Sequence, residues 1–364
     1  PPPPPFSSRR RHPRSASSSL GLGDVYKRQL DALREWGVVF RDTGSHTARI
    51  LQQADLGDSR TTVTLAQLAT DPANPVIWRA TAMEALGQFG GRDALQTATQ
   101  LLYSDEAMLR VSTVRALGFL PLNQRLQLFA PLLDDDITLV RMEVASALAG
   151  VPLDQVQAQQ ARALEAVFRE YEKLQRLHAD MPGVQLQLGV FYQNRGDAPM
   201  AEAAYRDALA INPQMVPARL NLADLLRVQG REDEARAQLQ AALTVAPDHG
   251  PSLHALGLLE TRAGNQEQAL DLLSQAARLE TRGTRHRFVY AVALHDLGQP
   301  EAAIGELQSL LRDAPADQQV LLALANYSLE LGRKARARGY AEKLLQLAPR
   351  NPSYQALYRE TGGQ

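Results

Sequence analysis

In residues 188–213, LGVFYQNRGDAPMAEAAYRDALAINP, apolar side chains return at three- and four-residue steps on both sides of RGD. That spacing predicts two amphipathic helices joined by a short turn. The arrangement then repeats. Glycine recurs at Gly196, Gly230, Gly264, Gly298 and Gly332, each step being 34 residues. Proline follows the same step at Pro213, Pro247, Pro315 and Pro349, with Thr281 in the one vacant place. Small residues do likewise at Ala201, Ala235, Ala269, Ala303 and Ala337. Five units therefore span 182–351 without insertion or deletion. Gly196 stands where a first helix should end, a place where positive φ costs glycine little. Pro213 falls just past the second helix and stops it.

Upstream the period shortens to 31. Arg79, Arg110 and Arg141 share that spacing, as do Leu86, Leu117 and Leu148, and Ala85, Ala116 and Ala147. The strings VIWRATAMEALG, MLRVSTVRALG and LVRMEVASALAG carry them. Before each lies another apolar stretch closed by Asp71, Asp105 or Asp136, which reads as a helix stop and N-cap. Three helix pairs are expected over 59–153, the first with three extra residues around PANP. Residues 154–181 read as a long connecting helix, and 30–58 as one or two lead-in helices.

The 34-residue unit is similar to the tetratricopeptide repeat. Leu188, Gly189, Tyr192, Ala201, Tyr205, Ala208 and Pro213 of the first unit stand at that family's motif positions. Later units depart at the third of these, with Leu226, Glu260, Leu294 and Ser328. The 31-residue unit resembles short HEAT-type repeats. Together they imply an all-α solenoid of stacked antiparallel helix pairs, HEAT-like repeats followed by a tetratricopeptide superhelix. The last segment, 352–364 with Tyr354, Leu357 and Tyr358, is short for a terminal cap and is expected to fray.

Composition narrows the chemistry. The 364 residues carry 39 Lys+Arg, 40 Asp+Glu and no cysteine. Disulfides, thiolate metal sites, cysteine nucleophiles and CxxCH haem attachment are thus excluded within the chain. The opening residues 1–29 begin at Pro1 and are Pro-, Ser- and Arg-rich, a composition that favours disorder. They resemble sequencing-adaptor read-through fused to a gene fragment, which makes them a non-native leader. Setting aside their six basic residues and one acid leaves 33 basic against 39 acidic, a net of −6. Nothing in that balance favours nucleic acid. No apolar run reaches the roughly 18 residues of a membrane span.

Catalytic signatures are absent: HExxH, GxSxG, the phosphate-binding GxxxxGK[ST] and a strand-bound GxGxxG do not occur. Asp134–Asp136 reads as helix-terminal carboxylates rather than a metal site. The seven histidines include no i,i+4 pair, and His249 with His254 is splayed at i,i+5. The reading is a non-catalytic protein, without metal or cofactor in this chain.

The tetratricopeptide resemblance implies a concave face lined by the second, fifth, ninth, twelfth and thirteenth positions of each first helix. The fifth gives Leu186, Leu220, His254, Phe288 and Leu322. The ninth gives Val190, Asp224, Leu258, Val292 and Asn326, and the twelfth Gln193, Arg227, Thr261, His295 and Leu329. From these, Leu186, Gln193, Asp224, Arg227, His254, Phe288, His295 and Asn326 are the groove candidates. Leu186 and Val190 replace the Lys and Asn of a clamp for acidic chaperone tails. The groove then suits an apolar or amphipathic peptide, unless these residues merely pack against neighbouring helices. A protein-binding scaffold follows on either count.

The order of parts also resembles the C-terminal half of bacterial exported proteins that carry a multihaem c-type cytochrome domain upstream. That resemblance implies electron transfer in the periplasm with haem in a missing domain, whereas a free-standing module could be cytoplasmic.

Overall fold

A computed structural model describes residues 47–279 and 284–363. From Leu51 onward the described residues belong to one compact unit. The expected leader and most of the lead-in segment lie outside the described residues, which begin with helix α1 (Thr47–Asp55). The described residues are mainly helical and hold no strand.

Three helix pairs follow, as the 31-residue period predicts. They are α2 (Thr62–Thr70) with α3 (Val76–Phe89), α4 (Gly91–Leu101) with α5 (Ala107–Ala116), and α6 (Leu122–Phe129) with α7 (Thr138–Leu148). Each second helix packs on the next, α3 on α5 and α5 on α7. The middle one is enclosed: Leu109, Val111, Ser112, Thr113, Val114 and Ala116 of α5 are all buried. A helix packed on most of its circumference keeps only a narrow exposed edge, here Met108 and Arg115.

The periodic arginines bind these layers together. Arg79 Nε donates to the Ala69 carbonyl at 3.0 Å. Arg110 reaches back to the Ser104 and Asp105 carbonyls at 2.7 and 3.1 Å. It also holds the Asp135 carboxylate of the following unit through two bonds of 2.8 Å. Arg141 donates to the Asp135 carbonyl at 2.5 Å and, through Nε, to Glu170 at 2.8 Å. Arg110 and Arg141 each seal their own loop and grip an acid in the element that follows.

The aspartates differ from the expectation. Asp71 closes α2, its N–H bonded to the Gln67 carbonyl and its carboxylate taking the Ala73 N–H, while Pro75 is the N-cap of α3. Glu106 and Ile137, not Asp105 and Asp136, occupy the N-caps of α5 and α7. The carboxylate that takes a backbone N–H at the head of α7 is Asp135, from Ile137 at 2.9 Å. A local run of three aspartates offers three candidates, and the cross-unit arginine selects the middle one.

Helix α8 (Ala158–Arg176) joins the two repeat systems. On one side Glu170 receives Arg141. On the other, Tyr171 stacks on Phe191 with ring centroids 4.6 Å apart, and Phe168 meets the same ring edge-on at 5.7 Å. Arg195 lies over Phe168, 4.5 Å from its centroid.

Five 34-residue pairs follow: α9 (Pro182–Asn194) with α10 (Ala198–Ile211), α11 (Val216–Val228) with α12 (Glu232–Val245), α13 (Gly250–Arg262) with α14 (Gln266–Leu279), α15 (Arg285–Asp296) with α16 (Pro300–Asp313), and α17 (Gln318–Glu330) with α18 (Lys334–Leu347). The five periodic glycines end the first helices with φ between 71° and 80°. The five periodic alanines are fully buried. Close approach explains why: a methyl on Gly189 would overlap the Tyr205 ring, and one on Gly257 would stand 2.8 Å from Leu273 Cγ.

Helix α19 (Pro352–Glu360) closes the stack. Tyr354 and Leu357 are buried against α17 and α18 residues, Asn351 accepts the Ser353 N–H, and Arg338 donates to the Thr361 carbonyl at 2.8 Å. The segment expected to fray is a formed helix in this structure.

Candidate functional site

A cleft of about 470 Å³ opens along the first helices α11, α13 and α15. Leu220, Asp224 and Arg227 of α11 stand on one side, and His254, Leu258 and Arg262 of α13 on the other. Arg285, at the start of α15, and Ala235 and Leu239 of α12 complete the lining. Fifth and ninth positions of one helix are about one turn apart, so they share a face and meet those of the neighbouring repeat.

Three of the eight candidates therefore converge: Asp224, Arg227 and His254. Gln193 adjoins them, its amide 3.5 Å from Asp224 Oδ2 while its carbonyl accepts the Tyr205 hydroxyl at 2.7 Å. The other four lie outside this cleft. Leu186 is half-buried on α9, and Asn326 is exposed on α17. Phe288 is half-buried and packs against the apolar cluster of Ala291, Ile304 and Val320. His295 stacks on Tyr327, with centroids 3.7 Å apart and planes 4° from parallel, and bonds Glu330 at 2.6 Å through Nε2.

The electrostatics are those of a mixed surface. Asp224 and Arg227 pair at 2.8 Å with both side chains exposed, so the bond orients them at little energetic gain. Arg262 lies 3.6 Å from Glu232. His254 is different. It is 8% exposed, its ring tilted 33° against His286 at 4.6 Å, and its Nδ1 has no hydrogen-bond partner among the described residues. Burial, reinforced by His286 and Arg285, pushes its pKa down to about 4, so the ring is neutral at pH 7.

Below the cleft, a buried acid replaces the motif tyrosine. Glu260 is 1% exposed; Arg236 Nε donates to it at 2.7 Å and Asn265 Nδ2 at 2.5 Å. Burial alone would raise its pKa, but Asn265 and Arg236 hold it below the ordinary value. The carboxylate is a fixed part of the third unit rather than a free acid. No cluster of three or more His, Asp or Glu suited to a metal occurs among the described residues.

Two arginines of the cleft, Arg262 and Arg285, were not among the candidates. They stand at the thirteenth position of one first helix and the second of another. Both positions belong to the concave face that the family resemblance implies, so the signal was present in the register.

Comparison with known proteins accords with both periods. Tetratricopeptide repeat models match residues 195–257, 254–317 and 296–352, and a HEAT repeat model matches residues 62–149. Cellulose synthase operon protein C of Xanthomonas axonopodis pv. citri is 29% identical over 167 residues, 42% of this chain and 11% of that protein. Anaphase-promoting complex subunit 3 of Schizosaccharomyces pombe is 25% identical over 134 residues, 37% of this chain and 20% of that protein. The chain thus spans a tenth to a fifth of the length of these curated relatives. Among solved structures, YrrB, described as a TPR protein with an unusual peptide-binding site, aligns over 52% of this chain and 97% of its own at 16% identity and a TM-score of 0.42.

Proposed function

We propose that this chain, in which HEAT repeats stack onto tetratricopeptide repeats, is a non-catalytic scaffold that binds an extended or helical peptide in the cleft of α11, α13 and α15. Tetratricopeptide arrays are protein-interaction scaffolds in general; the finer claim is the place and the chemistry. The observation that carries it is the convergence of Leu220, Leu258 and neutral His254 with Asp224, Arg227, Arg262 and Arg285 around one 470 Å³ opening. An apolar floor excludes water and supplies affinity, while a few charged groups at the rim set orientation. With Asp224 bonded to Arg227 and Glu232 3.6 Å from Arg262, Arg285 leaves the cleft a small excess of positive charge, which favours a peptide with an acidic residue beside an apolar anchor.

The test uses peptides selected from a random display library on the native chain. Asp224→Ala with Arg227→Ala should weaken them about tenfold at an unchanged melting temperature, because both side chains are exposed. Peptides that bind both proteins equally would remove the cleft from consideration. Phe288→Ala is a poor probe here, since its half-buried ring packs against the α16–α17 cluster. The haem-bearing upstream part is a proposal for sequence beyond this chain, and in-frame CxxCH codons upstream of Leu30 are its test.

A further inference from the structure

The HEAT repeats expose apolar side chains in a regular row. Ile77, Met108 and Leu139 each occupy the second residue of α3, α5 and α7, 31 residues apart. They are 54%, 44% and 52% exposed. Since α3 packs on α5 and α5 on α7, the three lie side by side across successive layers. With packed helices about 8–10 Å apart, the row is on the order of 20 Å long. Isolated exposed leucines need no explanation, but a row repeated in register across three layers is a surface.

Beside Met108 and Leu139 the charge without an ion-pair partner among the described residues is acidic. Asp105 and Asp136 stand three residues before Met108 and Leu139, with Asp134 in the same turn as Asp136. Among the described residues these three form no ion pair. The nearby guanidiniums are committed elsewhere: Arg110 to Asp135 and Arg141 to Glu170. We propose that this edge docks a partner's amphipathic helix laid across α3, α5 and α7, with apolar residues on the row and Lys or Arg over the aspartates. The spacing sets the partner's pattern. Layers about 10 Å apart match a helix rising 1.5 Å per residue when its apolar groups recur about every seven residues. The same aspartates repel an anionic membrane or nucleic acid. This surface is separate from the cleft of the tetratricopeptide array, so either assignment can fail alone.

The probe is a synthetic helical peptide of about 18 residues, leucine at every seventh position and lysine flanking it. Trp78 adjoins Ile77 and is 43% exposed, so its emission reports the row in the full chain carrying Trp36→Phe. Binding should shift that emission to the blue and weaken with added salt. Met108→Ser with Leu139→Ser should weaken binding about tenfold or more, as should Asp105→Asn with Asp136→Asn at low salt. Equal binding of a glutamate-for-lysine peptide, or indifference to either double variant, overturns the proposal. So does Trp78 emission that is already blue and unmoved by peptide, which would mean that another segment covers the row. A dimer in sedimentation that Met108→Ser with Leu139→Ser dissociates overturns it in favour of a second copy.

Discussion

Replacing Arg110 with alanine should destabilise the 31-residue repeats by about 3 kcal/mol. An exposed ion pair would be worth about 0.2–1 kcal/mol, and the difference lies in what is left behind. The side chains of Arg110 and Asp135 are 12% and 7% exposed. Without the guanidinium, the Asp135 carboxylate keeps the Ile137 N–H as its bond, and the Ser104 and Asp105 carbonyls lose a donor. Stranding one member of a buried pair costs about 3–5 kcal/mol; the surviving N–H bond places this case at the lower end. Asp135→Asn keeps an acceptor for Ile137 but gives up the charge and turns an amide N–H toward the Arg110 Nε–H, so about 2 kcal/mol is expected. Repeat arrays can open unit by unit, so urea denaturation should be read with hydrogen exchange resolved by segment. The loss should concentrate in α4 to α7 and spare α15 to α18. Acid gives a second reading. Burial alone would raise the Asp135 pKa, but Arg110 and the Ile137 N–H bring it below 3.8. Its contribution is therefore full above the unfolded value, lost as pH falls through the lower folded value, and absent in the Arg110→Ala chain. If each single variant costs less than about 0.5 kcal/mol, or the double-mutant cycle shows no coupling, the arginine ladder is ornament rather than support.

Gly189→Ala should cost about 2 kcal/mol by forcing Tyr205 aside; a melting curve identical to the parent's would show that the helices of the first pair can separate freely. His254 is held neutral by burial, with a folded pKa of about 4 against 6.5 unfolded. It therefore contributes fully above pH 6.5, and that share declines as pH falls from 6.5 toward 4; a ring titrating near 6.5 by NMR would contradict the burial. Residues Ser353–Glu360 should exchange their amides faster than Gln318–Glu330, because among the described residues no helix packs on the outer side of α19. Equal protection would mean that the Arg338 bond and the two buried side chains suffice as a cap.

The 34-residue architecture was legible because one contact recurs: a small residue on each second helix allows close approach, and a glycine ends each first helix. Every unit repeats both, so five weak signals add. The 31-residue arginines were legible as a spacing, but not as a ladder. Their partners Asp135 and Glu170 sit 25 and 29 residues ahead, where nothing local marks them out. The same reasoning explains the mistaken caps, since which aspartate of 134–136 turns inward is decided by Arg110 from another layer. At the site, a fifth-position residue can face groove or core. His254 does something of each, lining the cleft while nine-tenths buried, whereas the half-buried Phe288 at the equivalent position packs against the α16–α17 cluster. Register alone treats the two alike; the neighbours on α14 and α16 separate them.

Helix α8 answers both repeat systems at once. Glu170 takes the last arginine of the 31-residue series, and Tyr171, its next neighbour, stands 34 residues before Tyr205. Whole units could be added or lost on either side without disturbing it, because each lattice continues its own register. The helix itself has no such freedom. A single residue inserted before Glu170 would rotate everything beyond it by about 100°, and Arg141 and Phe191 could no longer both be met. Length is thus adjustable in the arms of this molecule and frozen at its splice, which makes α8 the place where the two arrays hold one orientation.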